Sequence, residues 1–250
     1  MGAVALQPKN GYNSKAMTTT ESTVIPTHVG YIVDGNRRWA RQQGIPNYEG
    51  HLAGYNALKD VIYATINEGV QYVSVYTFST ENWKRAQEEV SYLLQLTVRL
   101  LQADLHELIE RGIRFRHLGS REGLPDKVLK ALDNAEEKTK DLTAGTLCAC
   151  FNYGGHREIV EATRRAIEDG LAPDEITEET LAARLYAPDV PAIDVVVRSS
   201  GEKRLSNFML WRSAYSELIF LDKFWPDMTA ADVTAIIKEY SKRNRRFGGN

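Results

Sequence analysis

The sequence predicts a single α/β domain with a largely parallel central β-sheet flanked by helices. Short runs rich in β-branched and aromatic residues alternate with longer segments of helical period, which is typical of parallel sheets with helical crossovers. This alternation continues from residue 27 to the end without a linker or an internal repeat. The chain has 250 residues, of which 43% are hydrophobic and 26% charged, as expected for one globular domain.

The pattern predicts six strands and six helices in alternation. The strands are expected at residues 28–33, 72–78, 113–118, 146–151, 193–198 and 218–221. The helices are expected at about residues 51–68, 87–111, 125–139, 156–169, 177–185 and 229–244. Residues 1–26 are polar and are predicted to form a flexible amino-terminal tail, which leaves residues 27–250 as the folded domain.

Charge and cysteine content exclude several classes of protein. The net charge of -2 lacks the basic excess of a nucleic-acid-binding domain, so we expect no nucleic-acid partner. Cys148 and Cys150 lie one residue apart in a predicted strand, where a disulfide would be strained, so we expect reduced thiols and a cytoplasmic protein. No apolar run reaches membrane-spanning length, and we expect at most transient membrane contact.

The helix predicted at 87–111 is unusually long and apolar on one face. Val90, Leu93, Leu94, Leu101, Leu105 and Leu108 recur at helical spacing. This pattern is typical of a helix that faces the core, and it also suits one wall of an apolar cavity.

The loops that follow the strands are where a ligand crevice is expected in an open parallel sheet. Asp34 follows the first strand, and Gly35 and Asn36 open a predicted helix start whose N–H groups would attract an anion. Asp34 suits Mg²⁺ and Arg38 suits a phosphate oxygen. A tight turn with solvated arginines is the alternative interpretation.

Two further loops carry weaker signals. Residues 79–85 place a hydroxyl, an amide and a guanidinium after the second strand, a set that suits either a diphosphate or a helix cap with surface ion pairs. Gly154 and Gly155 follow the fourth strand and permit close backbone approach to a ligand, although plain turn geometry is the favoured interpretation of such a pair.

The loop after the fifth predicted strand is the most informative. Arg198 and Arg204 stand six residues apart among Ser199, Ser200 and Ser206, which resembles a phosphate cradle more than a solvated surface loop. Glu217, ahead of the last strand, is a second carboxylate that we expect to face the same crevice. The sequence has no P-loop, dinucleotide-binding or nucleophile-elbow motif, which leaves a phosphate and metal site beside apolar helices.

Several sequence blocks follow one another in order from about residue 27 to the carboxyl end: residues 28–39 (HVGYIVDGNRRW), 50–51, 76–85 (YTFSTENWKR), 152–155, 198–208, 210–211, 214–218, 225–227 and 245–249 (RRFGG). Together these blocks resemble the cis-prenyltransferase family, whose familiar bacterial members are the undecaprenyl diphosphate synthases.

The resemblance implies a Mg²⁺-dependent transferase that condenses isopentenyl diphosphate with an allylic diphosphate such as farnesyl diphosphate, forming cis double bonds. It implies an apolar tunnel between the sheet and the long helices. It also implies a homodimer in which Arg246, Phe247 and Gly248 reach the partner's site.

Site residues are implied by the same motifs. Asp34 would coordinate Mg²⁺ and assist departure of the allylic diphosphate, and Glu217 would complete the metal environment. His51, Asn82 and Arg85 would complete the catalytic set, with Asn82 assisting proton removal. The allylic diphosphate would contact Gly35, Asn36, Arg37, Arg38, Trp39, His51, Ser79, Trp83 and Arg85. The isopentenyl diphosphate would contact Arg198, Arg204 and Ser206.

Three positions depart from the family pattern. Asn47 replaces the usual Arg that contacts the allylic diphosphate, Ser199-Ser200 replace Thr-Gly, and His156 replaces the common Arg after the double Gly. Of these, Asn47 bears most directly on how the allylic substrate binds.

The size of Thr77 favours a long product of the undecaprenyl or decaprenyl class, a lipid carrier for cell-wall synthesis. One alternative is a short-chain or irregular isoprenyl diphosphate synthase on the same fold. Another is a non-catalytic scaffold subunit, for which we would expect an eroded Asp34 motif and an amino-terminal membrane helix, and the sequence shows neither.

Overall fold

The structure, a computed structural model, describes residues 23–243. In this part of the chain six strands form one sheet: β1 (His28–Ile32), β2 (Tyr72–Ser79), β3 (Ile113–Leu118), β4 (Gly145–Tyr153), β5 (Val195–Arg198) and β6 (Glu217–Phe220). The strand order is β3-β4-β2-β1-β5-β6, and every neighbouring pair is parallel. The predicted fold class is therefore confirmed.

Helices cover both faces of the sheet. They are α1 (Asn36–Gln43), α2 (Asn47–Asn67), α3 (Gln87–Glu110), α4 (Asp126–Thr139), α5 (Gly155–Glu168), α6 (Glu178–Ala182) and α7 (Ala230–Ser241). Between residues 23 and 243, no helix has both the length and the apolar character needed to cross a membrane.

Element boundaries differ from the predictions in a few places. The sequence predicted only the start of α1, and α2 begins at Asn47, four residues earlier than expected. Pro46 occupies the N-cap of α2, where its missing N–H leaves no helical hydrogen bond unmade. β5 begins at Val195 because the Ile193 N–H donates to the Arg212 carbonyl at 2.8 Å instead of joining the sheet. Of the predicted tail, only residues 23–26 fall within the described range.

The core is continuous through the central strands. All five residues of β1 are buried, and the Tyr31 hydroxyl forms a 2.8 Å hydrogen bond with the Thr65 hydroxyl. Cys148 and Cys150 are both fully buried and unbridged, as predicted. Burial raises the pKa of the Cys148 thiol to about 12, so the thiol is an inert core group.

The topology reverses beside β1 and thereby opens a crevice. The chain passes from β1 to β2 on one side, whereas β5 pairs with β1 on the other side. The loops that follow β1 and β5 therefore diverge at the carboxyl edge of the sheet, where ligands bind in open α/β folds. Gly50 and Gly54 of α2 let α1 approach this edge closely, since a Cβ atom at either position would collide with Asn36.

A buried histidine links three parts of the sheet at its opposite edge. His28 Nδ1 lies 3.0 Å from the Pro191 carbonyl oxygen, and Nε2 lies 2.7 Å from the Ser74 hydroxyl. Burial is the main cause that lowers the pKa of His28 to about 4, outweighing the contribution of the Pro191 hydrogen bond. The folded protein thus keeps this imidazole neutral at pH values where an unfolded chain would protonate it.

We expect the free energy of unfolding to decrease as the pH falls from 7 to 4. The ordinary histidine pKa is 6.5, so the unfolded chain binds a proton that the folded chain refuses over this interval. A gap of about 2.5 pH units corresponds to about 3 kcal/mol. In His28→Gln, the free energy of unfolding, measured with denaturant at a series of pH values, should depend less steeply on pH than in the wild-type protein. The exposed His106→Gln is the control, and equal slopes in both variants would contradict the prediction.

Candidate active site

An ion pair between the ends of β1 and β5 forms the centre of the crevice. Arg198 Nη2 donates to Asp34 Oδ2 at 2.9 Å, and the Arg198 side chain is only 5% exposed. Ser199 reinforces the junction, because its hydroxyl accepts from the Asp34 N–H at 3.0 Å and donates to the Asp34 carbonyl at 2.7 Å. Two loops separated by more than 160 residues in sequence are therefore held together.

The rest of the Arg198 guanidinium shapes the loop after β5. Its Nη1 donates to the Arg204 carbonyl at 2.6 Å and to the Ser206 hydroxyl at 2.7 Å. The Arg204 guanidinium is itself exposed and pairs with Glu202 at 2.6 Å. The structure thus brings Arg198, Ser206 and Asp34 together, whereas the charge of Arg204 lies at the rim.

Ser200 explains one departure from the family pattern. Its φ of 75° is in the left-handed region, where glycine is the residue without steric penalty. The Ser200 hydroxyl accepts a 2.6 Å hydrogen bond from Arg38 Nη2, and Arg38 also lies 3.2 Å from Asp34 Oδ2. The serine therefore adds a contact to Arg38 that a glycine would lack.

The start of α1 forms the anion-binding side of the crevice. Gly35 precedes α1 with φ 106°, no side chain caps the first N–H groups, and the first turn carries no acidic residue. These free N–H groups and the positive end of the helix favour an anion. The crevice is lined by Val33, Asp34, Gly35, Asn36, Arg37, Arg38, Arg41, His51 and Arg85. Arg41 was not predicted; its spacing of four residues from Arg37, along the helix predicted to start here, was the available signal.

Glu89 is a second residue that the sequence analysis missed. Its carboxylate lies 2.9 Å from Arg85 Nη1, 3.8 Å from Arg37 Nη1 and 3.6 Å from His51 Nε2. Glu89 is therefore the acidic counterion that holds these three side chains close together on one side of the crevice. The spacing Arg85-x-x-x-Glu89 at a helix start was its only signal in the sequence.

Two buried polar atoms of the crevice lack a hydrogen bond. Asn36 Oδ1 and His51 Nε2 have no hydrogen bond among the described residues, although both residues line the crevice. Burial is the main cause that lowers the pKa of His51, and the charges of Arg85 and Arg37 lower it further against the opposing effect of Glu89. A neutral His51 beside Asn36 is therefore available to contact a polar ligand.

Asp34 has the charge state that a cation requires. Burial alone would raise its pKa, but the hydrogen bond and charge of Arg198, the Ser200 hydroxyl and the charge of Arg38 hold the pKa below its ordinary value. No cluster of three or more His, Cys, Asp or Glu side chains suited to a metal occurs within residues 23–243. One carboxylate fits Mg²⁺, which commonly binds proteins through one or two carboxylates together with substrate phosphates.

Glu217 does not reach this crevice within the chain, contrary to the prediction. It is the first residue of β6 and pairs in register with Val195, whereas Arg198 pairs with Phe220. Glu217 therefore lies at the opposite edge of the sheet, roughly 16 Å from Asp34 at about 3.3 Å per residue. Its carboxylate lies 3.1 Å from Arg243 Nη1.

The indole N–H groups of Trp39 and Trp83, two predicted substrate contacts, both donate to side chains of the protein. The Trp39 Nε1–H donates to Asp227 Oδ1 at 2.8 Å, and the Trp83 Nε1–H donates to Asn152 Oδ1 at 2.7 Å. Neither indole lines the crevice. These residues instead hold α1 and the turn at residues 80–84 in place.

The predicted Ser79–Asn82 pair forms a local cap. Asn82 Oδ1 accepts the Ser79 N–H at 3.0 Å, as the helix-cap alternative predicted, and the amide nitrogen of Asn82 remains available. Asn47 is exposed and does not line the crevice. His156 is also exposed, and its backbone N–H donates to Asn207 Oδ1 at 2.8 Å.

An apolar cavity opens beside the crevice, and Asn36 and His51 line both. Its walls come from α2, α3, α4 and the sheet, and include Leu58, Ile62, Thr77, Leu93, Leu96, Leu100, Leu101, Leu108, Phe115, Leu132 and Leu147. Val90 and Leu105 of α3 are buried in the core instead. Some residues of this long helix therefore face the core and others form a wall of the cavity, and both interpretations from the sequence are confirmed.

Comparisons with known proteins agree with this geometry. A family model described as "Putative undecaprenyl diphosphate synthase" matches residues 32–248. An isoprenyl transferase from Thermotoga maritima is 48% identical over 227 residues, covering 90% of this chain and 97% of the relative. A decaprenyl diphosphate synthase from Mycobacterium leprae is 46% identical over 228 residues, covering 90% of this chain and 77% of the relative.

A solved structure shows the same fold. Lavandulyl diphosphate synthase from Lavandula x intermedia, in complex with dimethylallyl diphosphate, superposes with a TM-score of 0.86 at 33% identity, covering 90% of this chain and 99% of that chain. The family model and the relatives span both strand-end loops and the cavity walls. The chain belongs to the cis-prenyltransferase family and is a prenyltransferase.

Proposed function

We propose that the protein elongates an allylic diphosphate, such as farnesyl diphosphate, with isopentenyl diphosphate units to make a long cis-polyprenyl diphosphate. One observation carries this proposal. Two cationic strand-end loops meet at the Asp34–Arg198 pair, directly beside an apolar cavity lined by α2 and α3. A diphosphate head and a hydrocarbon tail have matching surfaces there.

The allylic diphosphate is proposed to bind at the start of α1. Backbone N–H groups beyond Gly35 and the guanidinium groups of Arg37, Arg38 and Arg41 face this crevice. Arg41 supplies a cation on this side although position 47 is an exposed Asn. Arg85 and Ser79 complete the set, and the neutral His51 would contact a bridging or terminal oxygen.

The isopentenyl diphosphate is proposed to bind at the loop after β5. Arg198 and Ser206 are already joined there at 2.7 Å, and the exposed Arg204 guanidinium, paired with Glu202 at the rim, is suited to contacting an anion. Asp34 separates this loop from α1, so the two diphosphates would lie on opposite sides of its carboxylate.

Asp34 would hold Mg²⁺ between the two substrates. Mg²⁺, when bound, supplies positive charge that stabilises the departing diphosphate. The C1–O bond of the allylic substrate breaks, and its electron pair leaves with the diphosphate. The double bond of isopentenyl diphosphate forms the new bond to C1, and loss of a proton from the isopentenyl unit restores a double bond.

The chain's own residues assist each of these events. Arg37, Arg38 and Arg41 are positioned to stabilise charge that develops on the leaving diphosphate. Asn82 would orient the isopentenyl unit for proton loss through its free amide nitrogen. The apolar walls exclude water from the allylic cation.

A long product is proposed because Thr77 presents a modest side chain to the cavity. The leading alternative is a short-chain or irregular synthase, which the lavandulyl diphosphate synthase likeness keeps open. A non-catalytic scaffold is disfavoured by the intact Asp34–Arg198 pair. A long product would serve as the precursor of a lipid carrier in cell-wall synthesis.

A cytoplasmic homodimer with at most transient membrane contact completes the proposal. Arg246, Phe247 and Gly248, which the resemblance places at the partner's site, lie outside the described residues. β6 is an edge strand with Leu218 exposed, and this is a suitable surface for a second copy. The two buried, unbridged cysteines support a reducing compartment.

Asp34→Asn should reduce turnover by about a hundredfold, equivalent to roughly 3 kcal/mol of transition-state stabilisation. The amide keeps the shape and one acceptor for Arg198, so the unfolding midpoint should change little. Asp34→Ala is less informative because it would leave the buried Arg198 charge without its carboxylate. Asp133→Asn, an exposed carboxylate of α4 that pairs with Arg121 outside the crevice, is the control. Near-normal activity of Asp34→Asn with Mg²⁺ present would refute the proposed metal role.

Arg41→Ala and Arg204→Ala should separate the two diphosphate sites. We expect Arg41→Ala to raise KM for the allylic substrate and Arg204→Ala to raise KM for isopentenyl diphosphate, each by about tenfold or more, as for a lost charged hydrogen bond. Steady-state kinetics with each substrate varied in turn tests this. The opposite pattern would exchange the two sites.

Incubation with farnesyl diphosphate, isopentenyl diphosphate and Mg²⁺, followed by chromatography of the products, tests the function as a whole. We expect a product in the undecaprenyl or decaprenyl range and its loss on chelation of Mg²⁺. Addition of only one or two units would support the short-chain alternative, and no condensation at all would refute the proposal.

A further inference from the structure

The apolar cavity contains two charged side chains far from the diphosphate crevice. Lys59 of α2 and Asp104 of α3 both line it. Lys59 stands eight residues after His51, roughly 12 Å farther along the helix at about 1.5 Å per residue. Charged groups on the wall of a hydrocarbon-binding cavity require a reason, because an apolar ligand cannot solvate them.

These charges belong to a four-residue cluster that bridges the two helices, which we name the α2–α3 latch: Lys59, Asp104, Glu107 and Arg111. Lys59 Nζ lies 2.9 Å from Asp104 Oδ1 and 2.6 Å from Glu107 Oε2. Arg111 Nε and Nη2 both donate to Glu107 Oε1 at 3.1 Å. Two cations therefore balance two carboxylates.

The latch also closes over an aromatic ring of α2. The Arg111 guanidinium lies 4.1 Å from the centre of the Tyr63 ring, and Tyr63 lines the cavity. Burial and the Glu107 charge raise the pKa of Tyr63 to about 12, so its hydroxyl stays neutral. The Tyr63 ring thus presents an apolar surface to the cavity, while the charged groups of the latch pair with one another.

Away from the crevice, few contacts other than the latch join the two helices. At the crevice end, the Tyr92 hydroxyl of α3 donates to the Tyr48 carbonyl of α2 at 3.4 Å, and Glu89 lies 3.6 Å from His51. α3 packs against α4 and β3, whereas α2 packs against α1 and α7, and in the described part of the chain the backbones of α2 and α3 make few close approaches. Side chains therefore span the seam between α2 and α3, and the latch supplies the ion pairs in the part of the seam that lies far from the crevice.

Asp104 is the weakest member of the latch. Burial and the neighbouring Glu107 charge raise the pKa of Asp104 to about 6, whereas the hydrogen bond from Lys59 is the main cause that lowers the pKa of Glu107. Lys59 is also closer to Glu107. The Lys59–Glu107 contact is therefore the bond to test.

We propose that the α2–α3 latch holds the side of the cavity shut and thereby limits the length to which the prenyl chain grows. This inference rests on the proposed elongation of an allylic diphosphate. With the latch closed, the chain is confined between the helices and the floor formed by Phe115, Leu132 and Leu147. When the ion pairs are lost, the seam can open and the chain can extend through it.

Two substitutions of Lys59 distinguish the effect of its charge from the effect of its side-chain size. Lys59→Met removes the charge and keeps the length of the side chain, whereas Lys59→Arg keeps the charge. We expect Lys59→Met to shift the products toward longer chains by one or more isoprene units, and Lys59→Arg to keep the wild-type distribution. Incubation with farnesyl diphosphate, isopentenyl diphosphate and Mg²⁺, with chromatography of the products, measures this.

A matched pair on α3 provides the control. Glu107→Gln removes a latch carboxylate, whereas Glu110→Gln removes an exposed carboxylate one turn away that lies 3.5 Å from His106 of the same helix. Glu107→Gln should lengthen the products and Glu110→Gln should not. Thermal unfolding of each variant identifies any that is misfolded. If Lys59→Met is misfolded, the test rests on Glu107→Gln, which is the milder substitution.

Wild-type product lengths in both Lys59→Met and Glu107→Gln, or shorter products, would overturn the latch. Lengthening in Glu110→Gln as well would overturn it too, because the effect would then follow from any charge lost on α3. If the wild-type protein adds no isopentenyl units at all, the proposed function itself has failed, and the latch fails with it.

Discussion

The Asp34–Arg198 ion pair is the interaction on which the rest of the site depends. It joins the ends of two neighbouring parallel strands, β1 and β5, where the sheet topology reverses. Arg198 is almost fully buried, so its charge requires compensation, and Asp34 supplies it. The same guanidinium orders the loop containing Ser206. One buried cation therefore sets the distance between the two halves of the crevice and the charge of the carboxylate at its centre.

Balanced net charge conceals a concentrated cationic surface. The chain carries 31 basic and 33 acidic residues, yet Arg37, Arg38, Arg41 and Arg85 line one crevice. Glu89 keeps three of its cationic or imidazole groups together without a ligand. The arginines are therefore already oriented before an anion binds, which reduces the reorganisation that binding requires. Preorganisation and an anionic substrate are thus compatible with a nearly neutral protein.

The apolar cavity exists because α2 and α3 pack mainly against different helices and not against each other. α2 packs toward α1 and α7, α3 packs toward α4, and the space between them is lined with leucine side chains. In an ordinary domain this space would close and bury the same surface as core. Here the ion pairs between the helices span the gap. The protein therefore keeps a hydrocarbon-sized volume beside a polar crevice at the expense of core packing.

The sequence alone determined the parallel α/β fold, the six strands and the presence of Asp34, Arg38 and Arg198 at strand ends, because hydrophobic period and strand-end chemistry are local properties. Short motifs also carried the family resemblance. The tertiary structure alone decided which side chains meet. Glu217 was misplaced because strand register puts it at the far edge of the sheet. The partners of the Trp39 and Trp83 N–H groups, Asp227 and Asn152, are also visible only in the tertiary structure. Arg41 and Glu89 had only a four-residue helical spacing as a signal. The α2–α3 latch depends on how two helices pack across a cavity, which no local pattern records.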